Sequence, residues 1–212
     1  MNEAGSRRLH ALQTAMARTA TSASGERLGY ANSRQLLLSV RAELNAAVDA
    51  ERLRTSSHEL SQLVKLLTPR QALSSQDQQE LAGALSESAA VLLVGGVPAS
   101  TDFHRSSRQH HIVRADGVSF TGRWILCSQA NGVEVLAYGA ELWWCDFDKT
   151  TAVDRWIRWD MNVSGHPNDL RGVRAHMHVG SDDWSLPSPV FRPLELLTVL
   201  LYAGTELTRD DP

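Results

Sequence analysis

Cysteine is almost missing from these 212 residues: there are two, Cys127 and Cys145, and neither belongs to a CxxC pair. A cysteine-built zinc site is therefore not expected, and both thiols read as buried groups in a reducing compartment. Lysine is equally scarce, with Lys65 and Lys149 alone, so nearly all positive charge is arginine. Arginine suits bidentate contacts to phosphate or carboxylate, although a GC-rich coding bias produces the same composition. The net charge of −3 excludes a strongly basic nucleic-acid footprint over the whole surface and leaves a local one open. No apolar run approaches the ~20 residues that span a bilayer, and none follows Arg7-Arg8 as a signal peptide requires. A cytoplasmic chain with no membrane partner is the expectation. There is no P-loop, no GxGxxG and no GxSxG, and "DFDKTTAVD" lacks the glycine and glutamate of a calcium loop.

What is present divides the chain into two grammars. Residues 1–96 are rich in Ala, Leu, Ser, Gln and Arg, with Tyr30 as their one aromatic. Leu36, Val40, Leu44, Ala47 and Val48 recur at helical spacing, and Leu60, Leu63, Val64 and Leu67 continue the stripe up to Pro69. The spacing predicts helices over about 3–20, 32–67 and 75–93, the last capped by Ser74 or Ser75 with Gln78 and Gln79 available for a capping box. Three helices bury limited area, so this region is expected to dock on the remainder or to form a homodimer through its stripe.

Gly95-Gly96 with Pro98 marks the change, and every tryptophan lies beyond residue 120. Residues 97–212 are aromatic and β-branched, as strands prefer. "FTGRWILCSQANGVEVLAYGAELWWC" reads as a hairpin turning at Asn131-Gly132 in a type I′ turn. "AVDRWIRWDMN" and "VRAHMHVG" are further strands, "DWSLP" a short edge strand, and "RPLELLTVLLYAG" a closing helix with Pro193 in its first turn. The predicted class is α+β: an N-terminal helical region, an antiparallel β-meander of 4–6 strands, and a C-terminal helix covering one face.

Strand alternation then selects a candidate site. Arg158 and Asp160 point to one side of their strand, opposite Ile157, Trp159 and Met161. Arg174, His176 and His178 point opposite Ala175, Met177 and Val179. If the apolar faces share a core, the polar faces share a patch of Arg158, Asp160, His176 and His178, with His166 above it in the connecting loop. Such a patch can do three things. Unperturbed imidazole titrates near pH ~6.5, so two histidines can move protons in metal-independent phosphodiester cleavage, with Arg158 stabilising the charged state and the RNA 2′-hydroxyl as nucleophile. That route needs no cofactor. His176, His178 and Asp160 can instead form a two-histidine, one-carboxylate set for a divalent metal. Or Asp160 simply orders Arg158 while the histidines bond neighbouring elements.

The run "WIRWDMNVSGHPNDLRGVRAHMHVG…LPSPVFRPLELLTVLL" resembles the TumE-like family, toxins of bacterial toxin–antitoxin pairs. The matching elements are Arg158-Trp159-Asp160 followed by Met161-Asn162, then His166-Pro167, His176-Met177-His178, Pro187-Ser188-Pro189 and the Leu194–Leu201 helix with Glu195. The resemblance covers about the last sixty residues. It implies a toxin or defence setting, a nucleic-acid-directed activity such as ribonuclease action, and an antitoxin or defence-complex protein as partner. A non-catalytic interaction subunit of such a complex is the alternative. Two further features could serve nucleic acid: "HRSSRQHHIVR" (His104–Arg114) as a phosphate-contacting arm or plain solvated surface, and the Trp143-Trp144 pair as a stacking platform or packing.

Overall fold

A computed structural model describes residues 26–82, 85–96, 111–144, 155–164, 174–183 and 185–203. The expected helix at 3–20, most of His104–Arg114, Cys145 with the turn after it, and the His166-Pro167 loop lie outside the described residues.

The chain is α+β. Its helices are α1 (Ser33–Asp49), α2 (Ser57–Leu63), α3 (Pro69–Ala72), α4 (Ser75–Glu80) and α5 (Pro193–Tyr202). Its strands are β1 (Glu26–Leu28), β2 (Val64–Leu67), β3 (Ala89–Val94), β4 (Ile112–Val113), β5 (Ser119–Gln129), β6 (Gly132–Trp144), β7 (Arg155–Met161), β8 (Ala175–Val179) and β9 (Leu186–Pro187). All join one sheet, every pairing antiparallel, in the order β2-β3-β5-β6-β7-β8-β9. The two long central strands outreach their neighbours. β4 and β3 share one edge of β5, and β1 and β7 share the far edge of β6.

The sheet exceeds the 4–6 strands expected because the first half of the chain contributes three of them. The helix predicted over 32–67 breaks after Asp49, where Glu51 takes a left-handed φ of 55°. Ser56 then caps α2 in a capping box with Glu59, and Val64–Leu67 leaves the helix to pair with β3. The helix predicted over 75–93 ends at Glu80; its capping box pairs Ser74 with Asp77 rather than with Gln78 or Gln79. "AAVLLV" becomes an interior strand buried along nearly its whole length. Continuous apolar runs carry no period, and here the available pairing edges of β2 and β5 override helical propensity. Gly95-Gly96 is thus a connection leaving a sheet strand, with positive φ at both glycines, and the chain on either side shares one sheet.

One sheet face packs under α1 and α5. Leu36, Val40, Leu44 and Ala47 are the buried stripe of α1, meeting Leu92, Trp124, Leu126, Tyr138, Ala140 and Trp159 together with Leu196, Leu197 and Leu200 of α5. Each fully buried leucine contributes on the order of 2 kcal/mol. The stripe is therefore covered by the chain's own sheet; Leu38, on the other side of α1, is 57% exposed. Asn32 caps α1 by accepting from the Gln35 amide at 3.0 Å. Arg114 closes α5 from the far end: 2% exposed, it donates to the Leu200 and Ala203 carbonyls and pairs with Asp116. It is neither phosphate-contacting arm nor solvated surface, but a buried clamp. The hairpin β5–β6 forms as expected, with a different turn: Gln129 pairs with Gly132, so Ala130-Asn131 make the bend and Asn131 keeps a negative φ.

On the opposite face, a smaller cluster of Ala72, Leu73, Leu81, Val91, Ile125 and Ala137 lies under α3 and α4. The rest of that face carries most of the buried charged side chains, together with Leu93, Trp143 and Trp156. Among the described residues no helix is long and apolar enough to cross a membrane.

Candidate active site on the polar face of the sheet

Antiparallel partners in register share a face, so the pairings write out rows across the sheet. One row runs Thr121, Glu141, Arg158, His178. The next runs Arg123, Gly139, Asp160, His176, with Gly139 bringing no side chain to its middle. A third holds Ser119, Trp143 and Trp156. The four residues chosen from strand alternation are therefore assembled as two facing pairs, Arg158 with His178 and Asp160 with His176. His166 lies outside the described residues.

Asp160 is the hub, at 2% exposure. Arg158 Nε donates to its Oδ2 at 2.7 Å. The same oxygen lies 3.6 Å from His178 Nε2 and 3.8 Å from His176 Nε2. The two imidazoles meet edge to face, with centroids 5.0 Å apart. Arg158, His176 and His178 are all buried. The second arm of Arg158 reaches outward: its NH1 meets Asp182 Oδ1 at 2.9 Å, and Asp182 is 41% exposed. Below, Arg158 lies 5.6 Å from the Trp156 ring centre, and Trp156 stacks obliquely on Trp143 at 5.9 Å. Trp143 Nε1 donates to Glu141 Oε2 at 3.1 Å, tying the aromatic row to the charged one. His111 completes the aromatic side, 6.4 Å from Trp143.

Neighbouring anchors fix this geometry. Arg174, grouped with the polar face in the sequence, turns to the chain instead: buried, it donates to the Asn162 and Leu136 carbonyls and holds the ends of β6, β7 and β8 together. Tyr138 receives the Phe191 amide and donates to the Pro189 carbonyl, locking the approach to α5.

Sequence reasoning missed Thr121, Arg123 and Glu141, all buried on this face, as well as Asp182. The signal was present: Arg123 and Glu141 each interrupt an apolar stretch of a hairpin whose ends were identified, and a charge alternating into a buried strand requires a partner on the same face. Asp182 offered no such pattern. Of the Trp143-Trp144 pair, Trp143 faces the polar side while Trp144 packs against the main core.

Chemically, the arrangement offers two imidazoles, a carboxylate aimed at both, a guanidinium that orients the carboxylate, and a tryptophan beside the guanidinium. Searches with this chain against protein-family models, curated proteins and solved structures returned no match.

Proposed function

We propose that this chain is a toxin-like or defence-associated protein that cleaves phosphodiester bonds in nucleic acid, RNA foremost, on the polar face of β7 and β8. The observation that supports it most is the convergence of His176 and His178 on the Asp160 carboxylate beside Arg158 and the Trp143–Trp156 stack. In this reading the two histidines carry the bond-breaking chemistry and Asp160 fixes their ring orientation. Arg158 holds Asp160 with Nε. Its outward arm rests on the exposed Asp182, which an incoming phosphate can displace, the guanidinium then serving the charged transition state. Trp156, half-buried, supplies a face on which a base can stack. RNA brings its own 2′-hydroxyl, so no serine nucleophile is needed. The resemblance of the C-terminal region to TumE-like toxins supports the same reading and implies an antitoxin or defence-complex partner and a cytoplasmic setting.

The test is induction in a bacterial host together with incubation of the purified chain with RNA. Wild-type protein is expected to arrest growth and cut RNA. The His176→Gln/His178→Gln variant, which keeps size and polarity at two buried positions, is expected to do neither while staying folded. A variant that retains cleavage, or a wild type inert toward RNA, refutes the reading.

A further inference from the structure

We infer that Asp160, His176 and His178 form a binding site for one divalent transition-metal ion of the zinc, iron(II) or manganese kind. The inference rests on the cleavage reading and changes how the site works: His176 and His178 become ligands rather than proton carriers, and the ion would supply the electrophilic centre. It stands on geometry that can be tested without RNA.

The three side chains each offer a ligand atom, and those atoms lie within 4.8 Å of one another. The two Nε2–Oδ2 separations, 3.6 and 3.8 Å, are longer than hydrogen bonds. They are close to what an ion imposes: ligand bonds of ~2.1 Å at tetrahedral angles place neighbouring ligand atoms roughly 3.4 Å apart. Closing on an ion thus needs movements of a few tenths of an ångström along these two edges and up to roughly 1.4 Å along the longest one.

A further observation points to a ligand. Arg158 Nε grips the Asp160 carboxylate at 2.7 Å, the kind of outer support that orients a metal-ligating carboxylate. The donor set selects the metal. Two imidazoles and one carboxylate suit zinc, iron(II) or manganese, whereas magnesium and calcium call for oxygen ligands throughout.

Charge balance fits as well. The described carboxylates of the patch are Glu141, Asp160 and Asp182, against the guanidiniums of Arg123 and Arg158. A divalent ion bound among these side chains adds positive charge to the face and strengthens its attraction for a phosphate.

The experiment uses the tag-free full chain, stripped with chelator and titrated with Co²⁺ by calorimetry and visible absorption, followed by Zn²⁺ competition. Expected are one equivalent bound, ligand-field bands from nitrogen and oxygen donors, and displacement by one equivalent of zinc. His176→Gln, His178→Gln and Asp160→Asn, which keep size and polarity, should each lose stoichiometric binding. Arg158→Met should weaken it roughly 10–100-fold. Wild type binding under half an equivalent, or any ligand variant binding as tightly as wild type, overturns the inference. RNA cleavage by the stripped, metal-free chain would also overturn it while leaving the cleavage reading intact. Stoichiometric metal binding without RNA cleavage would do the reverse.

Discussion

Replacing Arg158 by Met removes one member of an ion pair whose other member cannot reach water. Asp160 is 2% exposed, and its Oδ2 accepts the Arg158 Nε at 2.7 Å. Breaking a buried pair on one side costs ~3–5 kcal/mol, because a charge is left in a poorly solvated place. Two imidazoles stand 3.6 and 3.8 Å from the same oxygen and offset part of that cost, so the lower end applies, ~3 kcal/mol. For a domain of this size each kcal/mol lowers the melting temperature by about 2–4 °C, giving a fall of roughly 6–12 °C. The other partner of Arg158 behaves differently. Asp182 is 41% exposed, so Asp182→Ala should cost under ~1 kcal/mol. Removing both buried charges together, Arg158→Met with Asp160→Leu, leaves no stranded charge and should return stability to within ~1 kcal/mol of wild type. Urea unfolding of wild type, Arg158→Met, Asp160→Leu and the double variant closes a double-mutant cycle with an expected coupling of at least ~3 kcal/mol. The reasoning is refuted if Arg158→Met costs less than ~1 kcal/mol, the value of a surface pair, or if the double variant is as unstable as the two single changes added together.

Two further predictions concern the scaffold. A Cβ on Gly122 would lie 2.7 Å from Cζ3 of Trp124, a rigid ring that is itself buried, so Gly122→Ala should destabilise by ~1–3 kcal/mol in chemical denaturation, and an unchanged midpoint would contradict the packing. The Ser56 backbone amide, with the Ser56 hydroxyl behind it, holds the Glu59 carboxyl below the ordinary carboxylate range. Its contribution is therefore complete above the unfolded-state value and is lost as pH falls through the lowered one. The stability gap between wild type and Glu59→Gln should shrink on acidification; a gap that widens would reverse the assignment.

The face assignment was legible because it needed only a period of two. Once "WIRWDM" and "AHMHV" are strands with apolar sides, Arg158, Asp160, His176 and His178 have no choice but to share a surface, and their register follows. Pro193 in the first turn of α5 was an equally direct signal. Less of the sheet could be read. Val64–Leu67 and Ala89–Val94 are short apolar runs whose identity is decided by partners far along the chain, a competition that no local window contains. The same blindness hid Arg123 and Glu141, which belong to the site only because β5 and β6 lie beside β7. Arg114 was misjudged because its loop looks polar, whereas its ties run to α5, 86 and 89 residues onward.

The pairing of β1 with β6 has a consequence for how the molecule comes into being. Glu26–Leu28 meets Val133–Val135, so the earliest described strand finds its neighbour only after more than a hundred further residues have left the ribosome. The apolar side of α1 is completed later still, since α5, which helps cover it, is the last of the described elements along the chain. Nascent chains therefore carry this helix against Val64–Leu67 and Ala89–Val94 with its cover incomplete until late, and completion will be slow and cooperative, as non-local topologies are. A host that stalls translation late, or lacks holding chaperones, would accumulate aggregates before a single finished site exists.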